Sequence, residues 1–68
     1  MDKKLAKRIG KRISYWRRQR GLVSEKLAQE NDISKGYMSD IENGNKLPNL
    51  SMLSKITDAL DVDIKDLF

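Results

Sequence analysis

The chain contains neither cysteine nor histidine. Without cysteine no disulfide bond can form, and without both residues the usual zinc sites are not expected. The sequence also shows no glycine-rich phosphate loop and no evident pair of carboxylates suited to acid–base catalysis. These absences argue against an enzyme, so we expect neither a cofactor nor a bound metal.

Long apolar runs are also missing, and no segment approaches the length of a transmembrane helix. The basic N-terminus is not followed by an apolar stretch, so we do not expect a signal peptide. These features predict a cytoplasmic protein without membrane contact. The length predicts a single domain over residues 1–68, with a marginal core of the kind that often gains stability from a partner.

Charge is distributed unevenly along the sequence. Residues 1–20 hold nine Lys and Arg against one Asp, a net charge of +8, whereas residues 21–68 hold five Lys against nine Asp and Glu, a net charge of −4. A basic surface of this kind suits a polyanion such as nucleic acid and accelerates association with it. A solvated helix face is the alternative interpretation of the same residues.

Five helices and no strand are predicted, which makes the fold compact and all-α. The first helix runs from about Lys3 to Arg20, with Asp2 as its N-cap and Gly21 as a left-handed stop. Its apolar residues recur at spacings of three and four and therefore share one face: Leu5, Ile9, Ile13 and Trp16.

Three later helix starts follow from hydrophobic staples, in which the residue before the N-cap packs on the fourth helical residue. The staple pairs are Leu22 with Leu27, Ile33 with Met38, and Val62 with Leu67. They place N-caps at Val23, Ser34 and Asp63, and Asp66 completes a variant of the capping box at the last of these. Because Val23 has no side-chain acceptor, the second helix is expected to be under-capped, with Ser24 as a substitute cap.

The remaining boundaries are marked by turn and cap residues. Asn43-Gly44 ends the third helix, residues 45–48 form a loop, and Asn49 caps the fourth helix. The fourth helix carries an apolar stripe: Leu50, Leu53, Ile56, Ala59 and Leu60. A last short turn, counted as the fifth helix, is predicted to close the domain over residues 63–68.

The most informative segment is Leu22 to Gly44, which is predicted to form two short helices joined by a sharp turn. Its apolar residues lie where such a pair must bury them: Leu27, Ala28, Ile33, Met38 and Ile41. Its second helix leaves four residues facing outward: Lys35, Gly36, Ser39 and Asp40. Two helices crossed in this way form the helix-turn-helix, whose second helix docks in a DNA major groove.

Three segments carry a resemblance to a known family: IGKRISYWRRQRGL, DISKGYMSDIENG and LPNLSMLSKITDALDVDIKDLF. From Ile9 to Phe68 the chain resembles the phage repressor and Cro-like helix-turn-helix family of bacterial and phage transcriptional regulators, the xenobiotic-response-element type. The resemblance implies five helices with the third as recognition helix. It also implies a nucleoid-associated protein that binds a near-palindromic double-stranded DNA operator as a dimer, commonly for repression.

The chain departs from the family pattern at two places. Family members usually carry Ser or Thr followed by Gln at the start of the second helix, where this chain has Val23 and Ser24. Ser24 can still donate to a phosphate through its hydroxyl or its backbone N–H, but its side chain reaches less far than that of Gln. An apolar residue and Gly are usual where this chain has Asn31 and Asp32. We expect Asn31 to need a buried partner and Asp32 to adopt the left-handed conformation.

The outward residues of the third helix are the predicted base contacts. Lys35 can donate to guanine O6 and N7, although a phosphate contact or a solvated side chain is the alternative. Gly36 either lets the backbone approach the groove or marks a tolerant surface position. Ser39 can bond a base or a phosphate, and Asp40 either accepts from cytosine N4 or makes no contact.

The resemblance also implies phosphate contacts and a structural ion pair. The predicted phosphate contacts are Arg17, Ser24, Tyr37, Asn43, Asn45 and Lys46, with Gly44 in the same backbone-following loop. Arg17 is expected to pair with Glu42 and still to offer a donor to DNA. The alternatives are that the Tyr37 ring only covers the core edge and that residues 43–46 are a plain loop.

A small apolar patch is predicted to form a weak homodimer: Leu47, Ile64, Leu67 and Phe68. Alternatively, Leu67 and Phe68 fold back into the core. The sequence thus predicts a sequence-specific DNA-binding regulator, a repressor that acts as a homodimer. The alternative function is an antitoxin or anti-repressor whose main role is to bind a protein partner through its acidic later helices and apolar C-terminal tip.

Overall fold

A computed structural model describes residues 2–68. In this part of the chain four α-helices are followed by a 3-10 turn, and no strand is present: α1 Lys3–Gln19, α2 Ser24–Glu30, α3 Lys35–Glu42, α4 Leu50–Leu60, and the 3-10 turn Ile64–Leu67. The predicted all-α fold is therefore confirmed over these residues. No helix described here has both the length and the apolar character needed to span a membrane.

The structure corrects the predicted count of five helices, because the fifth element is a 3-10 turn and not an α-helix. The residues after α4 form only a four-residue 3-10 turn, in which Asp66 N–H donates to the Asp63 carbonyl at 2.9 Å and Phe68 N–H to the Lys65 carbonyl at 3.1 Å. Bonds that join residues three apart define this tighter helix, which rarely extends beyond one turn. The segment is too short to form the hydrogen bonds between residues four apart that define an α-helix.

One apolar core joins all four helices and the turn. It combines residues from every element: Ile9, Ile13, Leu27, Ala28, Ile33, Met38, Ile41, Leu53, Ile56, Leu60 and Leu67. Trp16 packs partly buried against this core, and its indole N–H donates to the Asp66 carbonyl at 3.2 Å. The indole thereby fixes the C-terminal turn against α1.

Leu67 corrects the predicted dimer patch. Its exposed fraction is 0%, whereas Phe68 is half exposed. The 3-10 turn directs Leu67 into the core, where it cannot contribute to a surface. The alternative that Leu67 folds back into the core is therefore confirmed, while Phe68 stays outside.

The helix starts follow the predicted caps. Asp2, Ser34 and Asn49 accept hydrogen bonds from the backbone N–H groups of Leu5, Tyr37 and Met52 at 3.0, 3.1 and 2.8 Å. At the last turn the Asp66 carboxylate accepts from the Asp63 N–H at 2.9 Å. Val23 is the N-cap of α2 and makes no side-chain hydrogen bond, so the predicted under-capping of this helix is confirmed.

Among residues 2–68, four have positive φ. Gly21 and Gly44, at φ 69° and 77°, were both predicted as helix stops, and Asp32, at φ 54°, was predicted to be left-handed. The fourth is Asp61 at φ 57°, the C-cap of α4, which sequence reasoning missed. Aspartate adopts this conformation more readily than most residues, but an aspartate at the end of a helix does not by itself indicate a positive φ.

Candidate nucleic-acid interface

The turn between α2 and α3 sets the position of α3. The Ile33 N–H donates to the Ala28 carbonyl at 2.9 Å, and Ile33 itself is buried. Asn31 is buried as well, and its amide donates to the Leu27 carbonyl at 2.9 Å, which supplies the partner that we expected it to need. The turn thus anchors α3 against α2 through both apolar burial and a satisfied polar group.

The outer face of α3 is open to solvent. Lys35, Gly36 and Ser39 are exposed and Asp40 is half-buried, so the four predicted base contacts lie on a helix whose inner face is held by Met38 and Ile41. Lys35 and Ser39 line one depression together with Ser24 and Glu25 of α2 and with residues 42–43. This depression runs between the start of α2 and the outer face of α3.

Lys35 has one charged neighbour. Its ammonium lies 3.7 Å from the Glu25 carboxylate, and the two side chains are 81% and 59% exposed. Ion pairs this exposed contribute between zero and about 1 kcal/mol. Lys35 therefore remains available to turn toward another acceptor.

Gly36 is not required by the packing of the fold. A Cβ added at this position would meet no atom within 4 Å, and the residue is exposed near the start of α3. The structure therefore offers no internal reason for glycine at this position.

Glu42, at the end of α3, is the centre of a polar network that joins three helices. Its carboxylate accepts from the Arg17 Nε at 3.1 Å, from the Ser14 hydroxyl at 2.7 Å and from the Ser24 hydroxyl at 2.9 Å. The Arg17 Nη2 lies 3.0 Å from the same carboxylate, and the two side chains are only 14% and 10% exposed. The ion pair implied by the family resemblance is present, and it fixes α3 against α1 and α2.

This network engages side chains that were predicted to contact phosphates. Arg17 also donates from Nη1 to the Leu22 carbonyl at 2.8 Å, which leaves it two of its five N–H donors. The Ser24 hydroxyl proton is given to Glu42. What Ser24 still offers outward is its backbone N–H, one of the first-turn donors that an α-helix leaves unpaired. Ser14, which sequence reasoning missed, has no pattern that distinguishes it from any other small polar residue in a helix.

Gly10 allows α1 to approach the end of α3. A Cβ at this position would lie 2.7 Å from the Glu42 carbonyl oxygen and closer still to that of Ile41. Backbone atoms cannot move aside as a flexible side chain can, so only glycine permits this contact. Sequence reasoning did not identify Gly10, because a glycine inside a helix carries no local sign of the partner that it touches.

The loop after α3 continues the same surface. Asn43, Asn45 and Lys46 are exposed, and the Asn43 amide lies 3.3 Å from the Ser39 hydroxyl. Gly44 is buried between them, and a Cβ there would lie 2.6 Å from Lys7 Cγ. Tyr37 is half-buried and its ring packs against the core. The loop is therefore held against α1 while its polar side chains face outward.

The α2–α3 pair, the largely buried ion pair at Glu42 and the exposed polar face of α3 define a helix-turn-helix domain. The chain belongs to the helix-turn-helix domain family, whose sequence pattern it matches over residues 10–68. Its relatives place it with DNA-binding transcriptional regulators and repressors of the Cro/C1 kind.

Two relatives and one solved structure illustrate the likeness. The transcriptional regulator SinR of Bacillus subtilis (strain 168) is 35% identical over 60 residues, covering 87% of this chain and 54% of that protein. The immunity repressor protein of Bacillus phage phi105 is 34% identical over 56 residues, covering 82% of this chain and 39% of that protein. The chain thus spans about half of the one relative and less of the other. A crystal structure of SinR in complex with DNA has a TM-score of 0.81 and 33% identity, covering 87% of this chain and 95% of that chain.

Proposed function

We propose that this chain binds a near-palindromic operator in double-stranded DNA as a homodimer and represses transcription. The observation that carries the proposal is the outer face of α3, which is exposed and polar while the helix is braced from behind at Glu42. A rigid helix with a free polar face suits the reading of base edges in a major groove. The repressor role is supported by the similarity to a phage immunity repressor, and DNA binding by the SinR complex.

Base recognition falls to four residues of α3. Lys35 donates to guanine O6 and N7, Ser39 bonds a base edge, and Asp40 accepts from cytosine N4. Gly36 brings the helix backbone close to the groove. The Asp40 carboxylate also repels phosphates. At sites where no cytosine amino group donates to it, this repulsion is not offset and binding is disfavoured.

Phosphate contacts fix the position of α3 without reading sequence. They come from the Ser24 backbone N–H at the start of α2, the remaining Arg17 donors, the Tyr37 hydroxyl, and the loop residues Asn43, Asn45 and Lys46. Each contact between a phosphate and a Lys or Arg side chain releases counterions from the DNA and makes the affinity depend on salt.

The homodimer forms through the exposed part of the predicted apolar patch. With Leu67 buried in the core, the patch consists of Leu47 and Ile64, which are partly buried, and Phe68, which is half exposed. An area this small supports only weak self-association, so dimerisation is completed on DNA. Half-sites are then expected about one helical turn apart, roughly 34–36 Å.

Selection of binding sites from random duplex DNA tests the proposal. We expect an enriched inverted repeat, bound far more tightly than unrelated duplex. Lys35→Ala should relax the preference at one base pair, whereas the control Lys55→Ala removes an exposed lysine of α4 and should leave the preference unchanged. Weak binding without enrichment, falling steeply with salt, would contradict the proposal.

A second candidate function is the binding of a partner protein, as in an antitoxin or anti-repressor. It is favoured by a depression lined by four carboxylates around Trp16 and Arg20: Asp58, Asp61, Asp63 and Asp66. This acidic surface is unsuited to DNA. Stable co-purification of a partner, lost when these carboxylates are replaced by amides, would favour this candidate over operator binding.

A further inference from the structure

Three cations form a row along α1. Lys7, Lys11 and Arg18 are separated by four and seven residues, so they lie on one side of the helix over a length of about 16 Å. All three are exposed. We call these three residues the α1 cationic row.

The α1 cationic row has no acidic partner within the described residues 2–68. The ion pairs in that part of the chain are Arg17 with Glu42 and Lys35 with Glu25. The one carboxylate beside the row is that of Glu42, which is satisfied by Arg17 and two hydroxyl groups. The row therefore presents unneutralised positive charge.

The row is continuous with the candidate interface. Lys7, Lys11 and Arg18 line one depression together with Ser14, Glu42 and Asn43, at the point where α3 ends. The Lys7 side chain also lies against Gly44, since a Cβ at Gly44 would come within 2.6 Å of Lys7 Cγ. The row thus begins beside the loop that follows α3.

From this continuity we propose that the α1 cationic row is a second phosphate-binding surface, which contacts the DNA backbone next to the segment that the α3–α4 loop follows. The inference rests on the proposed function and extends the interface from the helix-turn-helix onto α1. The row supplies phosphate contacts in place of the one that the Ser24 hydroxyl cannot make at the start of α2, because that hydroxyl donates to Glu42. It contributes affinity without sequence preference, because phosphates carry no base information.

The same helix supplies a matched control. Arg8 and Arg12 are exposed, have the same spacing of four as Lys7 and Lys11, and are turned about 100° around α1 from them. The double variants Lys7→Gln/Lys11→Gln and Arg8→Gln/Arg12→Gln therefore remove equal charge from two sides of one helix. Arg18→Gln serves as an independent single variant within the row. Unchanged helical circular dichroism and melting establish that each variant is folded.

The experiment measures affinity for the selected operator as a function of salt. Each protomer of the Lys7/Lys11 variant loses two phosphate contacts, so the homodimer on its operator loses four. The slope of log K against log salt should then fall by about 3.6 and the affinity by about 4,000-fold at 0.1 M salt. Arg18→Gln removes one contact from each protomer and should lower the slope by about 1.8, and the Arg8/Arg12 variant should leave it close to wild type. Equal effects of the two double variants would overturn the proposal in favour of a diffuse positive field. No effect of either would leave the row as a solvated face.

The two proposals fail in different ways. If the wild-type chain selects no site, the proposed operator function fails, and the same variants are compared on mixed-sequence duplex. A slope lowered only by the Lys7/Lys11 change would then still support the row as a phosphate-binding surface. Equal slopes on that duplex would refute it.

Discussion

Replacing Gly36 by alanine separates the stability of the fold from its affinity for DNA. The added methyl group would point into open space, with no atom of the chain within 4 Å. Glycine lowers helix stability because it has more backbone freedom to lose than alanine, by about 0.5–1 kcal/mol in a helix interior. Since Gly36 is the second residue of α3, we expect a gain near the lower end, about 0.5 kcal/mol. In a domain of this size that gain raises the melting temperature by about 2–4 °C.

The effect on DNA binding should have the opposite sign. If the backbone at Gly36 approaches the groove closely, a methyl group there overfills the contact, at a cost of about 1–3 kcal/mol by analogy with overpacked cores. At each half-site that cost corresponds to an affinity lower by about 5- to 150-fold, and the homodimer incurs it twice. The variant would then be more stable and bind its operator less tightly, a combination that simple unfolding cannot produce.

The assay combines thermal unfolding with operator affinity at one salt concentration. Ser51 is the second residue of α4 and is exposed, so Ser51→Ala compared with Ser51→Gly measures the glycine cost at the equivalent helix position away from the interface. A Gly36→Ala variant that is stabilised but binds with unchanged affinity would refute the close approach and leave Gly36 as a tolerant surface position. A destabilised variant would refute the packing argument itself.

Three further substitutions test the fold. Val23→Ser should stabilise by about 0.5–2 kcal/mol, since Val23 is 66% exposed and α2 lacks a side-chain cap; an unchanged urea midpoint would mean that water already satisfies these N–H groups. Asp61→Gly should stabilise by about 0.5–1 kcal/mol by relieving a non-glycine residue at φ 57°, and a lower melting temperature would contradict this. Glu42→Gln should destabilise the fold by about 1–3 kcal/mol in urea unfolding, because it leaves Arg17 largely buried without its counter-charge. A loss below about 0.5 kcal/mol would show that the Arg17–Glu42 ion pair is dispensable for stability.

Helix starts were accessible from the sequence because their causes are local. The Ser34 cap and the Ile33–Met38 staple lie within five residues of each other, so neither depends on the rest of the chain. The Arg17–Glu42 pair spans 25 positions and followed only from the family resemblance. Distant partners of this kind leave no periodic trace in one sequence.

The features that sequence reasoning missed depend on contacts between distant segments. Gly10 matters because Ile41 and Glu42 lie against it, and Ser14 matters because its hydroxyl reaches the Glu42 carboxylate. Leu67 was given two interpretations because an apolar residue near a chain end fits both a core and a contact surface. Only the path of the 3-10 turn decides between them, and that path is set by packing against α1 and α4.

In the proposed complex, the Glu42 brace also constrains how this domain contacts DNA. A hydroxyl that donates its proton to the largely buried Glu42 carboxylate cannot give the same proton to a phosphate, so the contacts that fix α3 are made at the expense of contacts at the start of α2. The phosphate contacts must then come from donors that the brace leaves free, which are the backbone N–H groups of α2, the Tyr37 hydroxyl, the loop after α3 and the α1 cationic row. Of these, only the loop's Lys46 and the row carry positive charge, together with whatever Arg17 still presents. The salt dependence of binding should therefore follow substitutions at these residues more closely than substitutions in α2.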